Sequence, residues 1–327
     1  MARAAPSASK TTALLLVVPT SRPTKSSVTK VPPVAACHPL VRHDKAMALA
    51  PTRELVDGAR RRGGGVAAFN VITLEHAEAI VAGAEAAARP VILQISENAV
   101  RFHHGNVLPI SSAAAAVADS AAVPVALHLD HVENQDLLNA AAGAGFSSVM
   151  FDASKLAYDD NVRATAGAVA WAHDEGLWLE AELGEVGGKD GAHAPGVRTD
   201  PAEAAQYAKQ TGVDGLAVAV GSSHAMTART AQLDHELIAA LRDAVPVPLV
   251  LHGSSGVADD ELARAVRQGI VKVNVGTILN VAFTDAVRRC LEADPGVVDP
   301  RKYLAPARND LAAVVTRIIS AVVAPGS

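Results

Sequence analysis

The sequence predicts an α/β chain folded as a single closed (β/α)8 barrel, and three observations carry that reading. Eight short apolar runs of six to eight residues recur along the chain, separated by Ala-rich amphipathic stretches. Strict alternation of strand and helix implies a parallel sheet, and eight repeats favour closure. The stretch from Met47 to Ser327 suits the ~250 residues typical of such a barrel, although 327 residues alone would also permit two domains.

The expected strands are Val66–Val71, Pro90–Ser96, Val123–Asp130, Phe146–Asp152, Leu177–Leu183, Gly215–Val220, Val247–His252 and Ile270–Val275. They are β-branched or aliphatic, and several open after Pro or Gly, as buried parallel strands do. Between them lie helical stretches. Leu74–Ala88 has Thr73 as N-cap and Glu75 and Glu78 near its positive end. Asn134–Ala142 and Asn161–Glu175 follow, then Pro201–Thr211, with Asp200 as cap and Pro201 at the first helical position. His235–Ala244, Asp259–Gln268 and Thr284–Glu292 complete the series. An open doubly wound sheet is the alternative. The turn after the first run, Val71-Ile72-Thr73, carries no G-x-G-x-x-G fingerprint to support it.

Composition narrows the function. Half of the residues are apolar and 19% are charged, enough for a large core and too hydrophobic for general disorder. A net charge of −5 argues against nucleic acid or an anionic membrane as partner. No apolar run approaches the ~18 residues that would span a bilayer. Cys37 and Cys290 cannot form a disulfide framework or a Cys-rich zinc site, which predicts a reducing, cytoplasmic compartment. Residues 1–46 stand apart: they are rich in Ser, Thr, Pro and basic residues, with no acid before Asp44. The apolar stretch Ala13–Val18 is too short for a secretory signal, despite a superficial likeness to a transit peptide. The expectation is a disordered or mis-assigned extension at 1–46 and a barrel domain at 47–327.

Barrel chemistry sits at the C-terminal rim of the strands, and polar residues crowd that rim here. Asn70 ends the first strand, Ser96-Glu97-Asn98 the second, and His128-Leu129-Asp130-His131 the third. Glu180 and Glu182 lie in the fifth, while Gly221-Ser222-Ser223-His224 follows the sixth. His252 ends the seventh, and Lys272, Asn274 and Thr277 mark the eighth. Histidines converging from strands three, six and seven are a standard way to hold Zn²⁺ with one position open for substrate. Strand alternation assigns metal reach to His131 at the loop junction and a packed supporting place to His128. His103, His104, His173, His193 and His235 read as solvated surface residues.

Gly253-Ser254-Ser255-Gly256 and Asn274-Val275-Gly276-Thr277 follow strands seven and eight, the recurring phosphate cradle of barrels. The glycine-rich stretch from Gly184 to Gly191 reads as a mobile lid carrying Asp190 over the site.

Together, Ala68-Phe69-Asn70-Val71, His128-Leu129-Asp130-His131, Glu180-Ala181-Glu182-Leu183-Gly184 with Gly187-Gly188, and Gly221-Ser222-Ser223-His224 resemble the motif series of class II fructose-bisphosphate and tagatose-bisphosphate aldolases. Leu251-His252-Gly253-Ser254-Ser255-Gly256, Lys272-Val273-Asn274-Val275-Gly276-Thr277 and Asp299-Pro300-Arg301-Lys302-Tyr303-Leu304 extend the resemblance from about Met47 to the end. It implies a TIM-barrel lyase of carbohydrate metabolism (glycolysis), zinc-dependent and independent of a Schiff base. A phosphorylated ketose would be its substrate, and a homodimer or homotetramer its assembly. By the same resemblance, His131, His224 and His252 would bind Zn²⁺, with Glu182 serving an alternate metal position. Asp130 would move the proton of the C4 hydroxyl, Asp190 would act at C3, and Asn70 would steady the enediolate. Gly253, Ser255, Asn274 and Thr277 would hold one phosphate, Ser96 would contact the other end of the substrate, and Arg301 would pair with the second phosphate across a subunit boundary.

The chain departs from the family pattern at Asp190, where the lid normally offers Glu, at its neighbour Lys189, and at Ala225, where a glycine is usual. Met226-Thr227-Ala228-Arg229 also lacks an aromatic often found there. These changes leave the metal centre intact and the choice of ketose open. Other readings are a divergent member acting on another phosphorylated ketose, a non-catalytic sugar-phosphate-binding barrel, and a Schiff-base aldolase using Lys272. An amidohydrolase fits less well, because the first strand offers Asn70 where that chemistry wants metal-binding histidines.

Overall fold

In a computed structural model of the chain, residues 49–183, 198–223 and 226–323 are described. The extension 1–46, the lid residue Asp190, His193, His224 and Ala225 lie outside them.

Eight parallel strands pair in chain order, and the last closes onto the first. They are β1 (Val66–Asn70), β2 (Val91–Ser96), β3 (Val125–Val132), β4 (Ser148–Phe151), β5 (Trp178–Glu182), β6 (Gly215–Ala217), β7 (Leu249–Leu251) and β8 (Ile270–Val275). All eight expected strands are present, and the open-sheet alternative is excluded by the β1–β8 pairing. The helices are α1 (Thr52–Arg61), α2 (Leu74–Ala87), α3 (Glu97–Phe102), α4 (Leu108–Ser120), α5 (Gln135–Ala140), α6 (Tyr158–Asp174), α7 (Pro201–Thr211), α8 (His235–Ala244), α9 (Asp259–Gln268), α10 (Thr277–Ala293) and α11 (Arg301–Val322).

Three helices, α7, α8 and α9, have the bounds expected from sequence. Asp200 caps α7 by accepting from the amides of Ala202 and Glu203, both at 2.9 Å. Thr73 occupies the N-cap position of α2, but its hydroxyl meets His76 Nδ1 at 3.1 Å instead of a backbone amide. Four helices escaped the sequence reading: α1, α3, α4 and α11. Pro306 interrupts the helical pattern of α11 without ending it, and α4 is so rich in alanine that its buried stripe is hard to see. The helix that follows β8, α10, also starts earlier than expected, at Thr277 rather than Thr284. That places its positive end against strand β8.

Two apolar layers divide the work. The larger lies between the outward strand faces and the helices, with Phe69, Ile80, Leu93, Leu129, Leu138 and Leu311 fully excluded from water. The smaller fills the lower barrel, where α1 presents Leu55, Val56 and Ala59 to Ile92, Trp178 and Val250. Because strand side chains alternate, residues two apart on a strand share the interior. Above the apolar floor the interior therefore turns polar, at Gln94, His128, Asp130, Glu180, Glu182, Lys272 and Asn274, all buried. His235, expected on the surface, is buried at 8% exposure with Nε2 2.9 Å from Glu261 Oε2, because the first turn of α8 packs against α9. His103 is half-buried with Nε2 2.8 Å from the Ile72 carbonyl, whereas His104 and His173 are exposed as expected.

No helix among the described residues is long and apolar enough to cross a membrane. Leu311 seals α11 into the large layer at 0% exposure. Leu311→Ala is expected to cost about 2–5 kcal/mol in urea unfolding, with little change in turnover, since the residue is remote from the rim.

Candidate active site

The site begins with a break in strand alternation. His128 and Asp130 are two residues apart on β3 and share the interior face, which should turn His131 outward. The β3–β4 register shifts between Leu129 and Val132, and His131 adopts a left-handed φ of 51°. Such a conformation costs a β-strand residue of order 1–3 kcal/mol and is a recurrent mark of functional sites. Here it brings His131 to the same side as Asp130. Glu97 supports the irregular turn: its buried Oε2 accepts from the amides of Glu133 and Asn134 at 2.8 and 3.1 Å, just past the strand.

His252, directly after β7, meets His131 with ring centroids 4.8 Å apart. Each ring spends one nitrogen on a carboxylate. His131 Nδ1 donates to Asp152 Oδ2 at 3.0 Å, and Asp152 also accepts from the Ser154 amide and hydroxyl. His252 Nε2 donates to Glu180 Oε1 at 2.8 Å, while the other Glu180 oxygen accepts from Lys272 Nζ at 2.8 Å. These carboxylates fix the tautomers and leave His131 Nε2 and His252 Nδ1 as the nitrogens with metal-binding lone pairs. Glu182 Oε2 lies 3.7 Å from His252 Nδ1.

The donor set fits a divalent metal. Asp130, His131 and His252 present ligand atoms within 4.8 Å of one another, and so do His131, Asp152 and Glu182. Charge points the same way. Burial works to lower the pKa of His131, but Asp130, Asp152 and Glu182 overcome it and hold the imidazole up to about 10. A cluster that draws a proton onto histidine so strongly has negative charge to spare for a cation. Burial opposes ionisation of Asp130 too, yet His131, His128 and His252 hold its carboxyl far below the usual range. Two amides steady it: Gln94 Nε2 lies 3.3 Å from Oδ2 and Asn274 Nδ2 3.4 Å from Oδ1.

Beside this cluster opens a cavity of about 220 Å³, lined by Asn70, Ser96, Asp130, His131, Gly253, Ser255, Asn274 and Thr277. These eight residues were all singled out from sequence. Its far wall is the N-terminus of α10 at Thr277, where the helix dipole attracts anions and the Ile278 amide donates to Ser255 Oγ at 3.2 Å. Gly253 is required there: it holds φ +65°, and a Cβ would sit 2.6 Å from the Ser223 carbonyl carbon. Gly276 likewise leaves room for Asn70, whose amide would lie 2.9 Å from an added Cβ.

Arg301 does not join the site within one protomer. It opens α11 with its side chain 88% exposed and paired to Asp299. Lys272 is no free amine. It is fully buried between Glu180 and Asn274 Oδ1, the latter at 2.6 Å, which removes the Schiff-base reading. Sequence reasoning missed Gln94 and Asn280 in the cavity wall and Asp152 behind His131, and it placed Asn98 and Glu180 at the rim without giving either a role. Asp152 stood at the end of its expected strand and Glu180 two residues before Glu182 on the same face, and that parity was their only signal.

Comparison with known proteins agrees with this geometry. The family model described as fructose-bisphosphate aldolase class-II matches residues 50–327. The fructose-bisphosphate aldolase of Geobacillus stearothermophilus is 41% identical over 272 residues, covering 82% of this chain and 95% of that protein. Its counterpart in Staphylococcus epidermidis is 38% identical over 266 residues, covering 80% of this chain and 93% of the relative. The crystal structure of the YdjI aldolase from Escherichia coli K12 superposes with a TM-score of 0.74 at 32% identity, covering 85% of this chain and 98% of that one.

Two outcomes follow for Glu180. Removing its charge in Glu180→Gln should weaken zinc binding about 10–100-fold in a chelator competition. In metal-free protein its carboxyl is opposed by burial but held by Lys272 and His252 at about 2, below the ordinary 4.5. Its stabilising contribution is therefore full above pH 4.5 and lost as pH falls towards 2. Acid titration of metal-free protein should show a shallower loss of stability in Glu180→Gln than in the parent over that window.

Proposed function

The chain belongs to the class-II fructose-bisphosphate aldolase family, and from that premise we propose that His131, His252 and His224 hold Zn²⁺, with Glu182 as an alternate ligand, in an aldolase acting on a ketose bisphosphate. Fructose 1,6-bisphosphate or its tagatose isomer is cleaved reversibly to dihydroxyacetone phosphate and an aldehyde such as glyceraldehyde 3-phosphate. One observation carries the reading: an ionised, buried aspartate lies between metal-directed imidazoles and a cavity that ends on a helix N-terminus.

The roles follow from position. Gly253, Ser255, Asn274 and Thr277 take the phosphate of the three-carbon half, with backbone amides of the α10 terminus as donors. Ser96, which lines the same cavity at the end of β2, contacts the aldehyde half. Asp130 removes the proton from the C4 hydroxyl; the C3–C4 bond then breaks, and its electron pair passes towards C2. Asn70 faces the negative charge that develops there, and Asp190 returns a proton to C3. When bound, Zn²⁺ supplies Lewis-acid polarisation of the substrate oxygens. Geometry favours Asp130 as base because neighbouring amides fix it and nearby positive charge keeps it ionised.

Arg301 serves the second phosphate only across a subunit boundary, consistent with its exposure and with its not lining the cavity, so the working assembly is a homodimer or homotetramer. The setting is cytoplasmic carbohydrate metabolism.

Cleavage of fructose 1,6-bisphosphate and tagatose 1,6-bisphosphate, followed by coupled oxidation of the triose product, tests the proposal. EDTA should abolish turnover and Zn²⁺ restore it; undiminished activity in EDTA would refute the metal mechanism. Asp130→Ala should lower kcat by roughly 10²–10⁴ while zinc content is retained.

A further inference from the structure

We propose that His128 is a positioning residue for Asp130, with its tautomer set by a buried hydroxyl pair, Ser148 and Thr52, at the floor of the barrel. The inference rests on the reading of Asp130 as the base at C4.

The strand register creates the arrangement. His128 on β3 lies opposite Ser148 on β4, and Ser148 Oγ is 2.8 Å from His128 Nδ1. From below, the first residue of α1 completes the series, with Thr52 Oγ1 2.6 Å from Ser148 Oγ. All three side chains are at 0% exposure. At the top, His128 Nε2 faces Asp130 Oδ1 at 3.6 Å and has no hydrogen-bond partner among the described residues. An unmet buried imidazole nitrogen is costly, and it is aimed at the carboxylate.

His128 offers Nδ1 to a hydroxyl at 2.8 Å and Nε2 to a carboxylate at 3.6 Å, and a neutral ring carries its proton on one of these nitrogens and a lone pair on the other. Two directions are open to the hydroxyl chain. Running downward, Nδ1–H would donate to Ser148, leaving the Nε2 lone pair against an anionic carboxylate in a water-free interior. Running upward, Thr52 donates to Ser148, Ser148 donates to Nδ1, and Nε2–H points at Asp130 Oδ1. Electrostatics selects the upward direction. Ser147, the other hydroxyl within reach of Thr52, donates to the Leu127 carbonyl at 3.2 Å and accepts the Thr52 amide at 3.1 Å, so it does not need the Thr52 proton.

His128 thus supports the carboxylate from beneath, while Gln94 and Asn274 hold it from the sides. The 3.6 Å separation shortens to a hydrogen bond when the loaded site draws its groups together, as catalytic contacts commonly do. Asp130 is then prevented from turning into the His131–His252 cluster, and a lone pair is kept towards the cavity.

Three measurements on the zinc-loaded protein decide the matter. Ring ¹⁵N NMR should find His128 protonated at Nε2 and unprotonated at Nδ1, with that preference lost in Ser148→Ala; protonation at Nδ1 in the parent overturns the proposal whatever the activity. His128→Phe should lower kcat by roughly tenfold or more, about 1.4 kcal/mol or above, with KM and bound zinc within about twofold. His128→Gln, which keeps an N–H donor, should recover part of that loss. Unchanged kcat in His128→Phe, equal losses in the two variants, or a loss matched by zinc release would each overturn it. Failure of the parent to cleave either bisphosphate would instead refute the aldolase reading, and the tautomer measurement would stand apart from that result.

Discussion

The carboxylate of Glu180 is the constraint on which the site depends. It is excluded from water and divided between a buried ammonium and a buried imidazole, Lys272 and His252. Burying such charges carries a desolvation cost that their attraction offsets only when geometry is good and the remaining valences are filled. Lys272 meets that condition by also reaching Asn274, which in turn faces Asp130. Three strands, β5, β7 and β8, are thus tied through one anion. The orientation of a metal-directed ring, an amide of the phosphate wall and the general base become parts of one network. A one-residue slip of β8 would move Lys272 out of the barrel and leave Glu180 unpaired, so the register is held by charge as well as by packing.

A second constraint is backbone strain at His131. Regular pleating would give β3 either Asp130 or a metal-directed histidine at the mouth, but not both on neighbouring residues. The left-handed turn at His131 permits both, and the Glu97 carboxylate and the Asp152 bond hold it in place. The apolar floor beneath, sealed by α1, supplies the rigidity that such strain requires. At the opposite wall, Gly253 takes a positive φ for a different reason: side-chain atoms would collide with the Ser223 backbone. The base and the phosphate cradle therefore sit on two departures from regular geometry that face each other across the cavity.

Much of this was legible in the sequence because it is written in short-range patterns. The strands show as apolar runs, and the cavity wall shows as polar residues where those runs stop, which is why Asn70, Ser96, Asp130, Ser255 and Thr277 were found. What was not legible depends on pairing across strands. Glu180 looked like any acidic neighbour of Glu182, since only the β5–β7–β8 arrangement reveals that its partners are His252 and Lys272. Asp152 was hidden in the same way behind His131. Lys272 left a nucleophile open as an alternative to an ion-paired core lysine, and only its partner across the barrel decides for the ion pair; His235 passed for a surface residue because Glu261, its partner, comes from the next helix. Arg301 could be matched by motif alone, yet it stands exposed on α11, paired to Asp299, and does not line its own cavity.

The interior is graded along the barrel axis, and that grading separates stability from chemistry. At the bottom, aliphatic side chains and Trp178 pack against α1, whose first residue, Thr52, meets Ser148 in a buried hydroxyl pair. At the top, carboxylates, imidazoles and amides face the cavity. Between them lies a thin layer containing His128, Ser148 and Lys272, fully buried and polar, whose hydrogen bonds join different strands of the barrel. A layer of aliphatic residues there would pack as well and would avoid the desolvation cost. It would also leave Asp130 and Glu180 resting on a surface that cannot donate a hydrogen bond, and buried carboxylates so placed would take up protons or turn away. The polar middle layer is therefore what allows an apolar barrel to carry an ionised base and ordered metal-directed rings at its rim.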